Sequence, residues 1–80
     1  MTDGPAVLVT GAAGYVGRLC VAALAKRRDD LSALVALDWT DVDSTDRLDG
    51  AAYEQADICD PALDDLMRRH GIDTVVHLAS

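Results

Sequence analysis

Two kinds of hydrophobic run alternate along the chain. Ala6-Val7-Leu8-Val9-Thr10 and Ala33-Leu34-Val35-Ala36-Leu37 are continuous apolar stretches with no polar alternation. That is the pattern of strands buried on both faces in a parallel sheet. Between them, from Tyr15 to about Arg28, Val16, Leu19, Cys20, Ala23 and Leu24 recur at the spacing of one helix face. Lys26, Arg27 and Arg28 fall at the expected end of that helix, where positive charge complements its dipole. The result is a strand–helix–strand unit closing at Asp38.

The second half is patterned more weakly. Trp39 to Gly50 has no hydrophobic period and carries Asp41, Asp43, Asp46 and Asp49, which predicts an exposed loop with a short helical turn. Ala51 to Ala56 is a weak strand, argued mainly from Tyr53. Asp60-Pro61 offers a capping carboxylate followed by proline at a first helical position. Leu63, Leu66, Met67 and His70 then share one face before Gly71 stops the helix. Asp73 to Leu78 supplies a fourth strand. The order is β-α-β-loop-β-α-β, with right-handed crossovers expected.

The most informative stretch is Thr10-Gly11-Ala12-Ala13-Gly14-Tyr15-Val16-Gly17, where three evenly spaced glycines join the first strand to the helix. A helix N-terminus presents unpaired N–H groups and a partial positive charge, and glycine lets a bulky anion approach the backbone. A phosphate-binding P-loop is excluded, because Val16 stands where its second glycine would be and Arg18 follows. Asp38 ends the second strand 21 residues after Gly17, where a carboxylate can accept from both ribose hydroxyls of an adenosine and repel a 2′-phosphate. The expectation is an α/β fold with a Rossmann-type doubly wound parallel sheet, strand order 3-2-1-4, built to hold NAD in preference to NADP.

Charge narrows the partners. Fourteen acidic residues against seven basic ones give a net charge of −7, the wrong sign for a nucleic-acid backbone or an anionic membrane surface. No apolar run approaches the roughly 18 residues of a membrane span, and the N-terminus lacks the basic start of a signal peptide. Cys20 and Cys59 stand 39 positions apart with no metal-binding spacing, so reduced thiols and a cytoplasmic location are expected. No metal site is expected: the acidic loop has Asp46 where a calcium loop needs glycine.

In these residues the chain resembles the extended short-chain dehydrogenase/reductase family, the NAD-dependent epimerases and dehydratases of nucleotide sugars. TGAAGYVG, spanning Thr10 to Gly17, looks like the family's TGxxGxxG; Ala56-Asp57-Ile58 looks like its acidic-apolar pair after the third strand; Ile72 to Ser80 is similar to its fourth strand. The resemblance implies that Gly11, Gly14, Tyr15, Val16 and Gly17 wrap the pyrophosphate, with the N–H groups of Tyr15 and Val16 as donors. It implies Asp38 on the adenosine ribose, Asp57 and Ile58 on adenine, and Leu78, Ala79 and Ser80 beneath the cofactor on its nicotinamide side. Ser80 departs from the family, which more often has Ala or Gly there. Trp39 either flanks the adenine or covers the loop. His77 reads as a packed, hydrogen-bonded histidine, His70 as a surface residue, and Cys59 as a small apolar filler.

The family's catalytic Tyr-x-x-x-Lys pair does not occur: Tyr15 is followed at that spacing by Leu19 and Tyr53 by Asp57. No catalytic residue is therefore assigned. The expected protein is the NAD-binding portion, residues 1–80, at the N-terminal end of a larger single enzyme acting by hydride transfer on a nucleotide-sugar-like substrate. A fourth strand left as a bare apolar edge supports that expectation. The resemblance also implies a homodimer formed through residues beyond Ser80. A non-catalytic nucleotide sensor and a reductase of a non-sugar carbonyl are the alternatives.

Overall fold

A computed structural model describes residues 4–40 and 42–78. The elements run β1 (Ala6–Thr10), α1 (Tyr15–Ala25), β2 (Ala33–Asp38), β3 (Ala52–Gln55), α2 (Ala62–His70) and β4 (Thr74–His77), with short 3-10 turns at Arg28–Asp30 and Ser44–Asp46. The four strands form one parallel sheet in the order β3-β2-β1-β4. This is the doubly wound arrangement expected from the sequence. Among the described residues no helix is long and apolar enough to cross a membrane.

Alternation within the central strands explains their unbroken hydrophobicity. Val7 and Val9 of β1 and Leu34 and Ala36 of β2 pack toward α1, in one core with Val21. Leu8, Val35 and Leu37 point the other way and pack with Leu66 of α2. Both faces of β1 and β2 are thus withdrawn from water, and no polar alternation is available. The outer strands β3 and β4 have a single hydrogen-bonded neighbour each and are largely exposed, Val75 of β4 at 46%.

Helix α1 differs from expectation in length and in rotation. It ends at Ala25, and Lys26 is its C-cap. Arg27 and Arg28 belong to the following turn, where Arg27 pairs with Asp30 at 3.4 Å and Arg28 Nη1 donates to Leu31 O at 2.8 Å. Its buried residues are Gly17 and Val21, with Cys20 and Leu24 packed beside them. Val16 and Leu19, expected on the buried stripe, are more than half exposed. The cause is Gly17: its bare Cα lies against the Gly11 carbonyl, and that contact rotates the helix so that Val21 follows it inward.

Helix α2 follows its sequence closely. Asp60 Oδ1 accepts the N–H of Ala62 at 2.9 Å, Pro61 is already helical, and Gly71 closes the helix at φ 63°. Leu66 is its one fully buried side chain, flanked by Leu63 and Met67.

Candidate functional site

The glycines at the β1–α1 junction have three separate physical roles. Gly11 sits at φ 73°, a left-handed conformation that turns the chain sharply out of β1. At Gly17 an added Cβ would come within 2.8 Å of the Gly11 carbonyl carbon and 2.9 Å of Ala12 Cα, so no larger residue fits. Gly14 is different. Its φ of −74° suits any residue, and an added Cβ would meet nothing closer than Gly11 O at 3.4 Å. The fold itself does not require glycine there; the space above it is open.

The same helix end is bare of side-chain caps. Gly14 provides no capping group and α1 has no acidic residue in its first turn. Helix α2, by contrast, has Asp60 at its start and Asp64 and Asp65 in its first turn. An uncapped N-terminus with an open glycine beside it can receive an external anion. Tyr15 and Val16, at 79% and 59% exposure, stand on the solvent side of this turn.

Asp38 connects this loop to the end of β2. Its Oδ2 accepts the N–H of Ala13 at 2.9 Å and its Oδ1 accepts the N–H of Thr40 at 3.0 Å. A carboxylate offers about four lone-pair sites, so one remains on each oxygen for further donors. The carbonyl of Ala13 accepts in turn from Arg18 Nε at 3.1 Å. Ala13 is thus held on both sides of its backbone, a role invisible in its side chain. Its position between two motif glycines is the only sequence signal for it.

Beside Asp38 opens a cavity of about 400 Å³ lined by Gly11, Asp38, Trp39, Ala56, Asp57, Ile58 and Cys59. Parallel pairing of Asp38 with Gln55 puts the ends of β2 and β3 side by side, and the residues that follow each strand form the walls. Asp57 Oδ1 accepts the N–H of Cys59 at 2.9 Å, which fixes the carboxylate and leaves Oδ2 unpaired among the described residues. Cys59, expected as an apolar filler, is an exposed free thiol at this rim.

At the end of β1, beside His77 of β4, Thr10 is the single buried polar side chain among the described residues. Its Oγ1 accepts the N–H of Leu78 at 3.1 Å and lies 2.8 Å from His77 Nδ1. His77 is hydrogen-bonded as expected but exposed rather than packed. His70 reverses the other expectation: it is half-buried, and its Nε2 has no partner among the described residues. Ala79 and Ser80 lie outside the described residues. The structure therefore brings Gly11, Gly14, Tyr15, Val16, Gly17, Asp38, Asp57, Ile58 and Leu78 to one end of the sheet, at the carboxyl ends of its strands. Ligands of open α/β sheets bind at that end.

Comparison with known proteins agrees with this geometry. The pattern of the family described as NAD dependent epimerase/dehydratase matches residues 7–80. No curated protein matches the chain. Among solved structures, a GalE-like L-threonine dehydrogenase from Cupriavidus necator in its holo form is 29% identical, with a TM-score of 0.76, over 95% of this chain and 24% of its own. Uronate dehydrogenase from Agrobacterium tumefaciens is 31% identical, with a TM-score of 0.72, over 92% of this chain and 26% of its own. An L-threonine dehydrogenase from Clostridium difficile, 22% identical with a TM-score of 0.77 over 96% of this chain and 24% of its own, shares the fold. The chain thus spans about a quarter of the length of these structures.

Proposed function

Because the chain belongs to the NAD dependent epimerase/dehydratase family, we propose that it forms the dinucleotide-binding part of an NAD-dependent oxidoreductase. Gly14 carries the proposal. It is a glycine that neither backbone conformation nor internal packing demands, next to an uncapped helix end. A pyrophosphate lying on that turn accounts for both features.

In this reading the N–H groups of Tyr15 and Val16 donate to the pyrophosphate, and Gly11 and Gly17 shape the turn that presents them. The remaining lone pairs of Asp38 accept from the adenosine ribose, and its charge favours NAD over NADP. Asp57 Oδ2 accepts from the adenine amino group, with Ile58 against the ring. Leu78 stands on the nicotinamide side. The bound nicotinamide supplies hydride acceptance and donation; these residues bind it, orient it and keep the phosphates in place.

Residues 1–80 are then the N-terminal nucleotide-binding portion of a larger enzyme, whose tyrosine–lysine pair lies further along. A nucleotide sugar is the first substrate class this family reading suggests. The likeness to threonine and uronate dehydrogenases supports a second, net oxidation of a hydroxyl-bearing acid. Calorimetric titration of the full-length protein with NAD, NADP and ADP-ribose tests the binding reading: NAD and ADP-ribose bind, NADP binds more weakly. Failure of all three to bind would overturn it. Reduction of NAD in the presence of a uronate or L-threonine, set against turnover of UDP-sugars, separates the substrate classes.

A further inference from the structure

The indole of Trp39 has no structural use in the fold. It is 74% exposed and belongs to neither hydrophobic core. A lone exposed aromatic is ordinary on a protein surface, but this one is held in place. Its own carbonyl accepts from Gln55 Nε2 at 3.1 Å, and the next N–H, that of Thr40, donates to Asp38 Oδ1 at 3.0 Å. The peptide unit after the indole is therefore held at both its carbonyl and its N–H, one anchor being the carboxylate of the candidate site itself, and the unit before it is held where Asp38 O accepts the N–H of Ala56 at 3.0 Å. Trp39 lines the same cavity as Asp38, Asp57 and Ile58.

The geometry points to Trp39 as a specificity-determining residue of this site, a stacking wall for a purine base. The inference rests on the dinucleotide reading above and adds a residue to it. Trp39, just after β2, and Ile58, in the segment after β3, line one cavity, which puts an aromatic and an aliphatic side chain within reach of the same flat ring. Hydrogen bonds at Asp57 report only the edge of such a ring. Stacking on an indole reports its face, and removing such a face weakens binding roughly tenfold. Covering the loop gives no comparable account, because an indole that is three-quarters exposed buries little.

The test uses the full-length protein and the variants Trp39→Ala and Trp39→Phe, titrated with ADP-ribose and with nicotinamide mononucleotide, which lacks the adenosine half. Trp39→Ala is expected to weaken ADP-ribose binding about tenfold, leave nicotinamide mononucleotide binding and the ligand-free melting temperature unchanged, and be largely rescued by Trp39→Phe. Wild-type affinity for ADP-ribose in Trp39→Ala would overturn the stacking role while leaving the dinucleotide reading intact. Equal weakening of both ligands, a fall in ligand-free melting temperature, or no rescue by phenylalanine would overturn it too. Failure of the wild-type protein to bind ADP-ribose at all would remove the dinucleotide reading and this inference with it.

Discussion

Asp38 Oδ2 accepts the backbone N–H of Ala13 at 2.9 Å, across 25 residues of sequence. The carboxylate proposed to hold a ribose is thus also a strut of the glycine turn proposed to hold the pyrophosphate. Its removal acts on both halves of the adenosine diphosphate at once. Asp38→Ala is expected to weaken NAD binding more than tenfold, since a hydrogen bond to a charged group contributes about 1.5–3 kcal/mol. It should also narrow the gap between NAD and NADP. Parallel titrations with the two cofactors check this; unchanged affinity for both would remove the ribose assignment.

Gly14 and Gly17 make opposite predictions. Gly14→Val places its side chain in open space and should leave the melting temperature nearly unchanged while abolishing NAD binding. Gly17→Ala drives a methyl into the Gly11 carbonyl and should cost about 2–3 kcal/mol of stability. Thermal melts with and without NAD separate the two. A Gly14→Val variant that binds NAD normally would contradict the phosphate role.

Thr10 is buried, and its hydroxyl accepts the N–H of Leu78. Thr10→Val keeps the shape and removes that acceptor, leaving the N–H of Leu78 on the Thr10 carbonyl alone, at 3.2 Å. The expected cost is about 0.5–1.5 kcal/mol, with faster amide hydrogen exchange at Leu78 and recovery in Thr10→Ser. Unaltered exchange at Leu78 would show that β4 is held without the hydroxyl.

Leu66 is the buried residue of α2, with Leu63 and Met67 packed beside it at the edge of the core. Leu66→Ala should destabilise the protein by about 2–4 kcal/mol, while Leu63→Ala, half-buried, costs less. Denaturant midpoints of the two variants give the comparison.

Element order was legible from the sequence because strands buried on both faces and an amphipathic helix leave local, periodic traces. The carboxyl-terminal ends of the strands, and with them Gly11, Asp38 and Asp57, were legible for the same reason. The exposure of Val16 and Leu19 was not. Helical periodicity finds a stripe, but which stripe turns inward depends on Gly17 meeting the Gly11 carbonyl, a contact between backbones. Cys59, an exposed thiol, and His70, half-buried, also differ from expectation, because the local pattern does not record how far a side chain is covered by the rest of the fold.

By itself, then, the sequence determined the alternation of strands and helices, the glycine turn and the acids that follow the strands. All of these depend on residues within a few positions of one another. Only the tertiary structure decided that Gly14 is open where Gly17 is closed, that Ala13 hangs on Asp38, and that Trp39 shares a cavity with Asp57. The first relation arises where the turn brings the start of α1 against Gly11, and the other two arise when parallel pairing sets the ends of β1, β2 and β3 side by side. A register between strands is a long-range property, and no local pattern encodes the distances it creates.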